Sequence, residues 1–271
     1  MGKTKIEWAT HTMNDQAGCT KMSPACTHCY ALTLSVRIGK MGRSARYQGV
    51  TNGDMKSPKW SGVINADLEA RERNFREIRN SRKPRRTFYG SMTDIWHGDM
   101  DINGPELSAL AEEVAKLDQC QCTQVVMFLT KRPDRLLEWQ QTYFPDGLPE
   151  QVWVGSTVEN QKLANERMPL LTKIKAKVRY LSCEPLLGGV KLQKKWLKNL
   201  EWVIVGGESG NKARPSKASW IRSLRDQSSD ADIPFHFKQW GEHEEHGQRI
   251  GKKKAGRELD GRTWDGLPTY L

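Results

Sequence analysis

The chain has no apolar run long enough to cross a membrane, and its first residues, MGKTKIEWATHTMN, lack the apolar centre of a secretory leader. Both absences predict a soluble, cytoplasmic protein with no membrane partner. Cysteine is sparse, six in 271 residues, and without a secretion signal that number argues against a disulfide framework and leaves the thiols free to act as ligands. No zinc-finger, homeodomain or other dedicated DNA-reading pattern is present. Acidic residues are the minority: Asp and Glu number 32 against 43 Lys and Arg, a formal net charge of +11. That excess favours a polyanionic partner such as nucleic acid, although charge also serves solubility alone.

Three of the six cysteines are concentrated in one stretch, GCTKMSPACTHCYA. Cys19, Cys26 and Cys29 fall there with the spacing C-x6-C-x2-C, and no fourth cysteine follows nearby. Cys26 and Cys29 suit one metal centre, and the six-residue loop lets Cys19 join them. A structural zinc needs a fourth ligand, for which His28 and His11 are the nearby candidates. Three thiolates on a four-iron cluster leave one iron open to a small chelating molecule, which accounts for a missing fourth cysteine better than zinc does. Cys120 and Cys122, in DQCQCT, read as incidental packing.

The rest of the chain alternates strands and helices. β-Branched and aromatic runs at 87–92, 124–130, 151–158, 178–185, 201–209 and 233–241 predict six strands, and helical spacing fills the intervals, as at 105–118 and 217–227. Such alternation implies a parallel sheet, and an uninterrupted series of like units favours a partial (β/α)6-type barrel preceded by the cysteine loop. One domain over 1–271 is expected, with a C-terminal extension from about residue 242. Each strand ends in small or reactive residues: Gly90, Ser91, Thr93 and Asp94; Thr130, Lys131 and Arg132; Ser156 and Glu159; Ser182, Cys183 and Glu184; Gly206, Gly207 and Glu208; Lys238 and Gln239. In a parallel β/α fold these ends share one rim, where sites are built. Taken singly, each residue reads equally well as a helix cap or turn.

The three-cysteine loop followed by β/α units resembles the radical S-adenosylmethionine superfamily. Seven collinear segments, IEWATHTMNDQAGCTKMSPACTHCYA, YGSMTDIWH, FLTKRPDRL, VWVGSTVENQ, YLSCEPLLG, WVIVGGESG with ARP, and FHFKQWGE, are more closely similar to a phage and prophage family of three-cysteine, radical-SAM-like proteins. The resemblance runs from about Ile6 to Pro268. It implies a [4Fe–4S] cluster on Cys19, Cys26 and Cys29, S-adenosylmethionine at the open iron, and an external electron donor such as flavodoxin or ferredoxin. If the chain is phage-encoded, the host cytoplasm is the expected location. Two features depart from the superfamily: the usual spacing is C-x3-C-x2-C, and the GGE triplet Gly206–Glu208 follows a late strand rather than the second.

Within that resemblance, Ser91, Thr93 and Asp94 at the second-strand position become candidates for the cofactor's amino group, and Lys131 or Arg132 for its carboxylate or for a DNA phosphate. Ser156, Glu159 and Asn160 suit ribose hydroxyls or adenine. Glu184 and Glu208 suit a substrate amine or proton movement, and Arg214 and Lys238 a substrate carboxylate or phosphate. Cys183 is either a hydrogen-atom donor or inert packing. The basic run Arg73–Arg86, seven Arg or Lys in fourteen residues, and a second cluster at 251–257 suit phosphates, or else are solvated faces. The reading as a whole is a radical enzyme acting on modified phage DNA, an isomerase of an amino-acid-bearing thymidine. A photoproduct-type lyase and a non-enzymatic, zinc- or cluster-stabilised nucleic-acid-binding protein are the alternatives.

Overall fold

The structure, a computed structural model, describes residues 2–42, 44–119 and 123–269. Cys120 and Cys122 lie outside the described residues. Eight strands form one sheet: β1 (Gly2–Lys3), β2 (His11–Met13), β3 (Arg86–Tyr89), β4 (Val125–Thr130), β5 (Val152–Thr157), β6 (Val178–Cys183), β7 (Trp202–Gly206) and β8 (Phe235–Gln239). They neighbour one another in chain order, and every pairing from β2 onward is parallel. Because right-handed crossovers always run the same way, strands laid down in sequential order keep all their helices on one face. The sheet therefore curls into a half-barrel rather than a doubly wound layer. All six expected strands form; β1 and β2 extend the sheet beyond them, β1 antiparallel to β2.

Strand alternation divides the apolar residues between two cores. Along β4, Val126 and Phe128 face the helices, whereas Val125 and Met127 join Trp8, Phe88, Trp153, Tyr180 and Trp202 on the concave side. The outer layer comprises α2 (Leu68–Arg79), α3 (Pro105–Asp118), α4 (Pro133–Tyr143), α5 (Gln161–Leu171) and α7 (Ala218–Ser229). In α3 the residues Leu107, Leu110, Ala111, Val114 and Leu117 form one buried stripe, and Pro105 starts the helix where its missing N–H is not needed. The regular alternation lapses after β6, where a single turn, α6 (Lys194–Leu197), stands in for a full helix.

Two segments decorate this frame. Residues 14–85, between β2 and β3, hold the cysteine loop, α1 (Tyr30–Lys40), α2 and two short antiparallel ladders. A buried Asp15–Arg71 ion pair ties the start of that insert to α2. The C-terminal segment follows the short turn α8 (Lys252–Ala255) and lies along β8: the Phe237 N–H donates to the Trp264 carbonyl, and the Gly266 N–H donates to the Phe235 carbonyl. Leu259 is fully buried beneath it. The open edge of the half-barrel is thus covered, which removes a row of unpaired backbone groups.

Candidate functional site

The strand carboxyl ends, the cysteine loop and α1 enclose a cavity of about 710 Å3. Cys19, Cys26 and Cys29 all line it. Gly18, at φ +99°, lets the chain pass the Val63 carbonyl, which a β-carbon would meet at 2.1 Å, and so delivers Cys19 to the cavity wall. Burial pushes the Cys19 thiol up to about 11; Asp94 and the other two thiols add to the rise, and Arg132 opposes it. Cys26 and Cys29 are thus close enough for their charge to act on Cys19. Among the described residues no three His, Cys, Asp or Glu side chains converge on a point that a single ion would occupy.

The loop carrying these thiols is fastened to the strand ends at every turn. After β3, Ser91 bonds to Asn14, its carbonyl accepts from the Tyr30 hydroxyl at 2.6 Å, and Thr93 Oγ1 donates to the Gly18 carbonyl at 2.6 Å. After β4, Arg132 donates to Asp94 at 3.0 Å and to Thr20 Oγ1 at 2.9 Å, and Thr20 also shares a hydrogen bond with His97. Asp94 further accepts from the Thr130 hydroxyl and the Lys131 N–H. After β5, the fully buried Glu159 accepts from Ser23 and from Arg167. After β7, Glu208 accepts three hydrogen bonds from Arg214, faces His28 at 3.3 Å, and Arg214 continues to the Pro24 carbonyl. Burial works against the Glu208 carboxylate, but the donors on Arg214 and His28 outweigh it and hold its pKa below the usual glutamate range.

This arrangement redistributes the roles expected from sequence. Ser91, Thr93 and Asp94 reach the cavity, but their hydrogen-bonding capacity is largely committed to the cysteine loop and to Arg132. Ser156, Glu159, Asn160, Cys183 and Arg214 are not on the cavity wall. Ser156 donates to the Thr130 carbonyl inside the sheet, Asn160 caps α5 by accepting from the Leu163 N–H, and Cys183 belongs to the helix-side core, where burial raises its pKa. Sequence gave no reason to single out Ser23, Thr20 or Tyr30. Their only signal was that polar residues sit between and beside the cysteines. His28 does line the cavity but turns to Glu208, and His11 lies on β2, bonded to Thr10 and away from the cavity.

Three charged candidates do face the cavity with capacity to spare: Lys131, Glu184 and Lys238. Glu184 and Lys238 are ion-paired across the end of β7. Gly206 makes room for them, since a β-carbon there would sit 3.2 Å from the Glu184 carboxyl. Besides His28 Nδ1, which faces Glu208, four buried polar atoms in cavity-lining residues have no partner among the described residues: Glu7 Oε2, Trp8 Nε1, Ser182 Oγ and Gln239 Oε1. Buried polar groups left in this state call for water or a ligand.

The basic run before β3 is placed differently. Arg73, Arg76, Arg79 and Arg85 pair with Glu69, Glu72, Glu113 and Glu77, and Arg86 donates to the Trp8 carbonyl. The run leads into the amino end of β3, opposite the cavity, whereas Lys252 of the second cluster lies on the cavity wall.

Fold and site together define an α/β half-barrel with a three-thiol chamber at its strand ends. The chain belongs to the DUF5131 family, described as a protein of unknown function, whose model matches residues 3–268. No curated protein and no solved structure matches it. No helix among the described residues is long and apolar enough to cross a membrane.

Proposed function

We propose that this chain is a radical S-adenosylmethionine enzyme whose substrate is a modified base in phage DNA. The observation that carries the reading is that Cys19, Cys26 and Cys29, and no fourth thiol among the described residues, line one roomy cavity at the strand ends. Three thiolates suit a cubane that leaves one iron open, whereas a structural zinc takes four ligands. Cys19, Cys26 and Cys29 would hold such a cluster, and with S-adenosylmethionine it would supply one-electron chemistry able to take a hydrogen atom from an unactivated carbon. The residues of this chain contribute the rest. Asp94, Glu159, Glu208 and their arginines fix the thiol loop, Trp8 and Tyr180 close the barrel floor, and Tyr30, Tyr47 and Trp60 give the cavity an aromatic side.

The DNA part of the reading is supported by the net charge and by Lys252 at the cavity, with an extruded nucleotide entering there. Rearrangement of an amino-acid-bearing thymidine is the reaction that suits radical chemistry and the charged strand ends. Anaerobic reconstitution tests the core claim. Brown protein with about four irons and reductive release of 5′-deoxyadenosine is expected; colourless protein with about one zinc would overturn it in favour of a non-enzymatic nucleic-acid-binding protein.

A further inference from the structure

The acids at the strand ends differ in how much of their hydrogen-bonding capacity is used. A carboxylate accepts at about four lone-pair sites and an ammonium donates three hydrogens. Asp94 accepts three hydrogen bonds, and Glu208 accepts three from Arg214 while facing His28. Glu159 is closed off between Ser23 and Arg167. Glu184 and Lys238 have only each other, among the described residues, with side chains 15% exposed in a wall of the cavity. Two residues that line the same wall each carry a buried polar atom with no partner among the described residues: Ser182 Oγ, in a residue 1% exposed, and Gln239 Oε1, in a residue 4% exposed. The first can donate and the second accepts.

We infer that Glu184 and Lys238 form a clamp for an α-amino-acid group of the substrate, its ammonium on Glu184 and Gln239 Oε1, its carboxylate on Lys238 and Ser182 Oγ. A zwitterion matches this wall charge for charge and fills both orphaned sites. A neutral ligand would leave the free acceptor and donor sites of the ion pair unmatched, and a simple anion would meet the Glu184 carboxylate. Gly206 and Gly207 keep the end of β7 low between the two arms; a β-carbon at Gly207 would meet the Trp240 carbonyl at 1.8 Å. The inference rests on reading the cavity as a substrate chamber, but it concerns binding and is tested without turnover.

The test measures affinity on the reconstituted protein by isothermal titration. The probes are a thymidine carrying glycine through nitrogen on its methyl carbon, the methyl ester of that nucleoside, free glycine, S-adenosylhomocysteine and 5′-methylthioadenosine. The zwitterionic nucleoside should bind, and the ester, E184Q and K238M should each weaken binding about tenfold or more. S-adenosylhomocysteine should bind all variants alike. The double variant E184Q/K238M, which leaves no lone charge, should melt near the wild-type temperature and still fail to bind. Equal binding of acid and ester, or wild-type affinity in both single variants, would overturn the clamp. So would loss of S-adenosylhomocysteine affinity with 5′-methylthioadenosine unaffected, which would assign the pair to the cofactor. Binding of free glycine with the same dependence on Glu184 and Lys238, and none of the nucleoside, would keep the clamp and remove DNA as substrate. Iron content and 5′-deoxyadenosine release report separately on the radical reading.

Discussion

At the residue scale, what distinguishes the cysteines is where each thiol is placed. Cys19, Cys26 and Cys29 open into the cavity, whereas Cys183, one residue from the charged Glu184, is sealed among apolar neighbours. Alanine at any of the first three should abolish bound iron, because two thiolates leave an edge of the cluster exposed to water. Cys183→Ala should keep full iron content, measured colorimetrically after reconstitution. Glu159 makes a second prediction. Its removal would strand Arg167, whose side chain is 6% exposed, without a counter-charge. Glu159→Ala should therefore cost about 3–5 kcal/mol in urea unfolding and speed hydrogen exchange at residues 23–29, through the lost Ser23 bond. Glu159→Gln, whose amide oxygen still accepts from Arg167 while its NH2 donates to the Ser23 hydroxyl, should cost less. Wild-type exchange in Glu159→Ala would show that the loop does not depend on this anchor.

At the element scale, β8 carries a titratable side chain within the concave core. His236 is 2% exposed, packs edge-on against Trp202, and neither ring nitrogen has a partner among the described residues. Burial, with Arg257 adding to it, lowers its pKa from 6.5 to about 4. The folded protein therefore refuses a proton that the unfolded chain accepts, so this contribution is intact above about pH 6.5 and is lost as pH falls towards 4. The loss amounts to about 3 kcal/mol over that window. His236→Phe should flatten the acid limb of stability in urea titrations run between those limits. An unchanged slope would place the acid sensitivity elsewhere.

At the scale of the whole molecule, charge is arranged by face rather than by sequence density. The densest basic run lies at the amino ends of the strands and is largely paired with glutamates, while the Lys252–Lys254 turn stands beside the cavity. On the proposed reading that the protein binds DNA, replacing Lys252, Lys253 and Lys254 by Ala should lower the salt dependence of that binding by about one in the log–log slope per lysine that meets a phosphate. Arg73→Ala with Arg76→Ala should leave it nearly unchanged. The reverse ranking, measured by fluorescence anisotropy over a salt series, would move the DNA face to the other end of the barrel.

The order of β/α units, the burial stripe of α3 and the grouping of three cysteines were all legible in the chain, because each is a local pattern of spacing. Sequential units also determined the half-barrel, since right-handed crossovers leave consecutive strands few other ways to pack. Which strand-end acids would be left free was not legible. Asp94, Glu159, Glu184 and Glu208 look alike in sequence, each following a strand, yet the tertiary structure spends three of them on the cysteine loop and leaves Glu184 facing the cavity with Lys238. Arg132 is 38 residues from Asp94 in the chain and Ser23 is 136 from Glu159, while Arg214, only six residues from Glu208, joins it to the cysteine loop by reaching the Pro24 carbonyl 190 residues away. A carboxylate's role depends on the donors folded against it, and no local pattern records contacts made at that separation.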